Sequence, residues 1–292
     1  MRLSRNEIDA LLHITSSKIA LGPHDVFNAL SVRRGSVSRI ITKLREKGLV
    51  DREDSRLVLA KAPPAESFKR LYYAHRASPF GILLADRRID LISRLGEEPK
   101  SVKELQEETG IPLKTVYYYL QDFSRLGVVI ETNGRNGHLY SFNSTYWPEL
   151  KDFVVSLQEY DKARLVPREG LLIKIYQEGV LFKSVRPQDA TPTSFSAYGD
   201  YGIDLDLRDF YYILPKRELS IKEVFIHSLD SAEGRTQRLF CILFYLKNKD
   251  NLKYVEHPMM ADIKAILQGQ KVKGYPSLED VVDRSEMYDI EL

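Results

Sequence analysis

Ser31–Leu59 reads SVRRGSVSRIITKLREKGLVDREDSRLVL, and it changes periodicity twice. Val37, Ile40, Ile41 and Leu44 follow the i, i+3, i+4, i+7 spacing of a helix with one buried stripe. Ser36, Ser38, Arg39, Thr42, Lys43 and Arg45 fall on the opposite side, which is therefore basic and rich in hydroxyls. Gly48 stands where a left-handed cap would close the helix. Leu49-Val50 opens a strand, and Leu57-Val58-Leu59 returns after the charged tip Asp51–Arg56. The order is helix, stop, β-hairpin. Upstream, Leu21-Gly22-Pro23 is a turn with proline at the first helical position, and Val26, Phe27 and Leu30 face inward from the helix that follows. Ser4 and Glu7 have capping-box spacing ahead of Ile8, Leu11 and Leu12.

The pattern occurs twice. A shift of 79 residues lays Ser36-Val37-Ser38 on Thr115-Val116-Tyr117, Ile40-Ile41 on Tyr119-Leu120, Leu44 on Phe123 and Gly48 on Gly127. Leu49-Val50 then falls on Val128-Val129, and Asp25-Val26 on Glu104-Leu105. Such internal repetition is hard to obtain from chance periodicity. The doubled unit resembles the winged helix-turn-helix domain of DNA-binding transcription regulators. The resemblance implies an α+β protein: two tandem winged helix-turn-helix domains followed by a C-terminal α+β domain. The expected division is residues 1–62 for the first domain, 63–78 for a connecting helix and 79–144 for the second domain. A linker helix at 145–166 and the C-terminal domain at 167–292 complete it. Recognition helices are expected at 36–47 and 114–126, with β-wings at 50–59 and 128–142.

Charge is distributed unevenly. The 292 residues carry a net +2, but residues 1–78 hold 15 Lys and Arg against 8 Asp and Glu, a net +7. Residues 79–165 come to −2 and residues 166–292 to −3. Positive charge is concentrated where phosphate contacts would need it. No apolar run approaches the roughly 18–20 residues of a membrane span, and the amphipathic N-terminus does not have the form of a signal peptide. Cys241 is the only cysteine, which leaves no intrachain disulfide and no cysteine zinc cluster. A cytoplasmic protein is expected.

In the first domain, Arg33, Arg34 and Lys43 are the expected phosphate contacts, and Ser36, Ser38, Arg39 and Thr42 the expected base-edge readers. Arg45 ends that face, and Arg52 and Arg56 would lie along a neighbouring groove from the wing. In the second domain the outward side carries Lys114, Thr115, Tyr117, Tyr118, Gln121, Ser124 and Arg125, with Arg135 at the tip of a glycine-rich hairpin. Tyrosine can pack on thymine methyls and Gln121 can read adenine. Tyrosines are also favoured in interface cores, so this helix is read either as a second DNA reader or as a dimer surface. Double-stranded DNA and a second copy of the chain are the expected partners, and no cofactor or metal is expected.

From Pro167 onward, strands are expected at 171–176, 180–185 and 210–214, and helices at 221–229, 236–247, 258–267 and 278–283. The segments SIKEVFIHSL, GYPSLEDVV and the terminal YDI are similar to the C-terminal regions of abortive-infection antitoxin-type regulators. That likeness implies a protein partner, and a small-molecule effector is the other occupant considered for this domain. One constellation favours an enzyme instead. Asp204 and Asp206 alternate, which on a strand puts both carboxylates on one face, as in metal-dependent nucleotidyltransferases. The glycine-serine turn of that family is missing, its place taken by Ala197-Tyr198-Gly199-Asp200. The histidines are scattered, and His227, within an apolar helix, reads as a hydrogen-bonded core residue. A regulator that is not an enzyme is the expectation.

Overall fold

The computed structural model describes residues 2–17, 21–30, 32–134 and 137–290, with Arg34 described in its backbone only. The fold is mixed α/β, with small antiparallel sheets of two, three and four strands. It divides into two compact units, Met1–Asp161 and Lys162–Leu292. Among the described residues no helix is long and apolar enough to cross a membrane.

The first unit begins with α1 (Arg5–Ser16), whose capping box forms as its spacing implies: Glu7 N–H donates to Ser4 Oγ, and Ser4 N–H donates to Glu7 Oε2. Next come α2 (Pro23–Leu30) and α3 (Arg34–Glu46). Val37, Ile40, Ile41 and Leu44 of α3 are all buried. Gly48, at φ +66°, turns the chain into β1 (Val50–Glu53), which pairs with β2 (Arg56–Leu59) in the register Val50↔Leu59. The chain then runs through α4 (Pro63–Ala74), α5 (Phe80–Leu84), α6 (Arg88–Arg94), β3 (Lys100–Ser101), α7 (Val102–Thr109) and α8 (Leu113–Arg125). The hairpin of β4 (Val129–Gly134) and β5 (Gly137–Phe142) and the helix α9 (Pro148–Ala163) complete this part of the chain. Ser101 and Glu104 form a second capping box at α7, and Gly110 at φ +60° closes that helix.

One repeated feature escaped the periodicity. β3 joins the second hairpin through Lys100↔Tyr140 and Ser101↔Leu139. In the first half Leu57 N–H donates to Leu21 O at 2.6 Å, and Leu21 lies 79 residues before Lys100. Each half thus pins the chain ahead of its second helix to its own hairpin. The segments expected to act as connectors are also core. α4 starts at Pro63, with proline in its first positions, and ends at Ala74. Phe68 of α4 meets Phe153 of α9 edge-on at 5.3 Å. Leu150, Phe153, Val154 and Leu157 share one buried cluster with residues from Leu3 onward.

In the second unit β6 (Gly170–Tyr176), β7 (Gly179–Ser184), β8 (Thr191–Pro192) and β9 (Phe210–Leu214) form an antiparallel sheet of order β6-β7-β9-β8. A 3₁₀ turn spans Ser194–Tyr201. Helices α10 (Ile221–Ser231), α11 (Arg235–Lys247), α12 (Lys249–Leu252), α13 (Met259–Leu267) and α14 (Leu278–Glu286) follow. Tyr198 stacks on Phe244 at 4.2 Å, and Cys241 is buried beside them in the core. The strand expected at Asp204–Asp206 does not form: residues 203–207 are irregular, and both carboxylates are exposed. β9 already has β7 and β8 on its two sides, so this alternating segment finds no edge of β9 to join.

Two ion pairs set the helices of the first unit against one another. Glu7, only 2 % exposed, receives Lys47 Nζ at 2.6 Å on Oε1 while Oε2 caps α1. Lys47 caps the C-terminus of α3. In the second half Arg88 Nη2 of α6 donates to Asp122 Oδ2 of α8 at 2.8 Å, again out of solvent. Burial alone would raise the Glu7 carboxyl, but the hydrogen bonds from Lys47 and Ser4 outweigh it and hold its pKa below the ordinary value. A carboxyl lowered by folding contributes stability above its unfolded pKa, near about 4.3, and that contribution is lost as pH falls through the folded value. Glu7→Gln should therefore cost about 3–5 kcal/mol at neutral pH and unfold with a shallower acid dependence than the parent. Urea melts between pH 3 and 7 check this, and parallel pH profiles would refute it. The two cap glycines provide a second check. Both have φ +66°, but a Cβ on Gly48 would sit 2.6 Å from the Tyr160 ring, whereas one on Gly127 would meet nothing within 4 Å. Both alanine variants share the backbone strain, so Gly48→Ala should exceed Gly127→Ala by about 1–3 kcal/mol of overpacking. Equal losses in denaturant would contradict the close approach.

Candidate nucleic-acid interface

The helical stripe that buries Val37, Ile40, Ile41 and Leu44 necessarily turns the rest of α3 outward. Ser38, Arg39, Thr42, Lys43 and Arg45 are exposed, Ser36 is half-buried, and Arg33 is exposed at the N-cap. The N-cap residue Arg33 makes no side-chain cap, so the first-turn N–H groups add to its positive potential. Among the described residues Arg33, Arg39, Lys43, Arg52 and Arg56 form no ion pair, whereas Arg45 faces Asp51 at 3.6 Å. A cleft of about 190 Å³ where α2, α3 and β1 meet is lined by His24, Phe27, Ser38 and Arg52. It brings a helix residue and a hairpin residue of the expected set together. Arg56 lies on the exposed part of β2. The Arg34 side chain lies outside what is described.

His24 and Asn28 were not on the expected list. Their side chains meet at 3.2 Å across one turn of α2, and His24 lines the cleft. Their signal in the sequence is an i, i+4 polar pair opposite Val26.

The corresponding face of α8 has a different chemistry. Val116, Tyr119, Leu120 and Phe123 are buried, while Tyr117 and Tyr118 are 54 % and 57 % exposed. Lys114, Gln121 and Arg125 are exposed beside them, and Thr115 is half-buried. Lys114, Tyr117, Tyr118, Gln121 and Arg125, with Glu131 and Tyr140 of the hairpin, line a concavity of about 540 Å³ that Thr115 does not reach. Burial, with Glu131 and Tyr117 adding to it, raises the Tyr140 phenol and keeps it a hydrogen-bond donor. His138 Nδ1 lies 2.8 Å from Glu131. Beneath this surface the Arg88 guanidinium sits 4.1 Å from the Tyr119 ring centroid and 5.5 Å from that of Tyr118, so the Arg88–Asp122 pair also positions the tyrosines. Arg88 carries no signal in the sequence beyond a charge at the start of an apolar helix. Arg135, at the expected tip, lies outside the described residues.

Several polar groups of the second unit are engaged with one another. His227 is buried and shares a 2.7 Å hydrogen bond with Thr193 Oγ1; burial lowers its pKa to about 4, so it is neutral at physiological pH. Asp230 accepts from Lys174 at 2.7 Å and Tyr176 at 2.5 Å, with His257 Nε2 at 3.4 Å. Burial opposes ionisation of Asp230, but these donors prevail and hold the carboxyl low. Among the described residues no group of three or more His, Cys, Asp or Glu is placed to hold a metal ion, and Asp204 and Asp206 belong to no such group. Comparison with protein-family models, with curated proteins and with solved structures finds no match for this chain.

Proposed function

We propose that the protein is a sequence-specific, double-stranded-DNA-binding transcription regulator, built on two winged helix-turn-helix modules in tandem. The observation that carries this reading is the open face of α3. Arg33, Arg39 and Lys43 have no acidic partner among the described residues and alternate with Ser38 and Thr42, and Ser38 shares a cleft with Arg52 of the hairpin. They belong to the segment that carries a net +7. A helix of about 10–12 Å diameter fits a major groove about 12 Å wide. In that mechanism the arginines and Lys43 displace counterions from phosphates, and the hydroxyls and Arg39 face base edges. The hairpin β1–β2, with Arg52 and Arg56, flanks the groove.

The order of helices α1–α2–α3 and hairpin, its recurrence in α6–α7–α8 and hairpin, and the bridge or short strand that pins each hairpin all support the tandem reading. The second unit is read as the place of effector, protein-partner or subunit contact in a cytoplasmic homodimer. Leu171, Leu172 and Val185, exposed on the outermost strand of its sheet and just past the neighbouring one, favour a contact role.

A salt titration of binding to random duplex DNA tests the central claim. For the parent, log affinity should fall linearly with log salt. Arg33→Ala/Arg39→Ala/Lys43→Ala should flatten the slope by about two to three units. An unchanged slope would remove α3 from the interface.

A further inference from the structure

The two helices offered as readers do not present the same chemistry. On α3 the cations are interspersed along the face. On α8 they stand only at its ends: Lys114 and Arg125 are eleven residues apart, which returns to the same side after three turns and spans about 16 Å. Between them lie Tyr117, Tyr118 and Gln121, all uncharged and exposed, and all lining the same concavity. A major groove about 12 Å wide has anionic rims and a floor of neutral base edges. Cations at both ends of a neutral stripe of this length are complementary to that pattern. Glu131 on the hairpin side of the concavity repels phosphate from the middle of the site. The neutral groups have definite partners on the floor: the Gln121 amide matches N6 and N7 of adenine, and a tyrosine ring edge packs on the C5-methyl of thymine. The Arg88–Asp122 pair beneath Tyr118 and Tyr119 holds the aromatic surface in place without adding a free charge to it.

We infer that the two modules differ in what they read: α3 supplies most of the phosphate affinity, and the α8 concavity selects A·T base pairs in the major groove through Gln121, Tyr117 and Tyr118. This rests on the DNA-binding reading above. It adds a substrate class, A·T-containing duplex, and assigns selection to the half of the unit with the less favourable net charge.

The experiment uses the full chain. A duplex is selected from a random pool, and its affinity is compared with that of a scrambled duplex at one fixed salt concentration. The parent should prefer an A·T-containing site. Tyr117→Ala/Gln121→Ala should reduce that preference by about tenfold and leave the salt slope unaltered, whereas Arg33→Ala/Lys43→Ala, which removes two phosphate contacts of α3, should flatten the slope and keep the A·T preference. Replacing thymine by uracil in the site, which removes only the methyl group, should weaken the parent and leave Tyr117→Ala/Gln121→Ala unaffected. Gln121→Glu, which alters one exposed side chain, repeats the test should the double variant fail to fold. A preference that survives the α8 variants overturns the division of labour. So does a variant that sediments as monomer where the parent is a dimer and still selects the same site, because α8 would then be a subunit surface. If the parent binds no duplex even at low salt, the DNA-binding reading itself falls, an outcome distinct from either of these.

Discussion

Glu7 has two carboxylate oxygens and each holds a different helix. Oε2 closes the capping box of α1, and Oε1 receives Lys47 from the residue that ends α3. An apolar stripe decides which side of a helix faces inward but tolerates sliding and small rotations, since dispersion and hydrophobic burial are weakly directional. A hydrogen-bonded ion pair out of solvent is directional and is costly to leave half-made. It therefore sets where along α1 the helix α3 ends, and with that the orientation of Arg39, Thr42 and Lys43. The second half does the same with the charges exchanged: Arg88 on the early helix, Asp122 on α8. The repeat has kept the constraint without keeping the residues.

That exchange bears on the outer surfaces. In the first half the acid lies inside, on Glu7, and the outward face of α3 is left to cations. In the second half the buried acid belongs to α8 itself, and its partner Arg88 lies beneath the tyrosines. Arg88 Nε has no hydrogen-bond partner, and the stacked Tyr119 ring supplies the contact on that side. The aromatic character of the outward face of α8 is thus tied to the buried pair that holds the helix. Tyr118 is half in this arrangement and half in solvent.

Much of this was legible in the sequence wherever a feature is local. The stripe of Val37, Ile40, Ile41 and Leu44, the capping boxes at Ser4 and Ser101, the cap glycines Gly48 and Gly127, and the strand Phe210–Leu214 all follow from spacing or backbone chemistry within a few residues. What was not legible depends on a distant partner. β3 and β8 are two residues long, too short for alternation to register. Asp204–Asp206 alternates well, but alternation licenses only an extended half-buried chain, and the strand nearest in sequence, β9, already has neighbours on both sides. The face of α3 could be read off residue by residue, whereas the Arg88–Asp122–Tyr119 arrangement joins residues 31 or more positions apart in a way no spacing rule encodes.

The packing of α4 and α9 bears on how α3 and α8 are related. Were α4 and α9 mere links, α3 and α8 would be related by chain entropy, and joining them would act through effective concentration. Instead Phe68 packs on Phe153, Tyr160 closes over Gly48, and the stripe of α9 lies in the same buried cluster as Ile41 of α3 and Phe123 of α8. A close-packed interior has few alternative arrangements. The spacing and rotation of α3 relative to α8 are therefore properties of one core. On the DNA-binding reading proposed above, two helices fixed in this way would act together on a duplex only where its helical phase presents both surfaces at once. Selection would then come from the rigidity of the first unit as well as from the side chains on its faces.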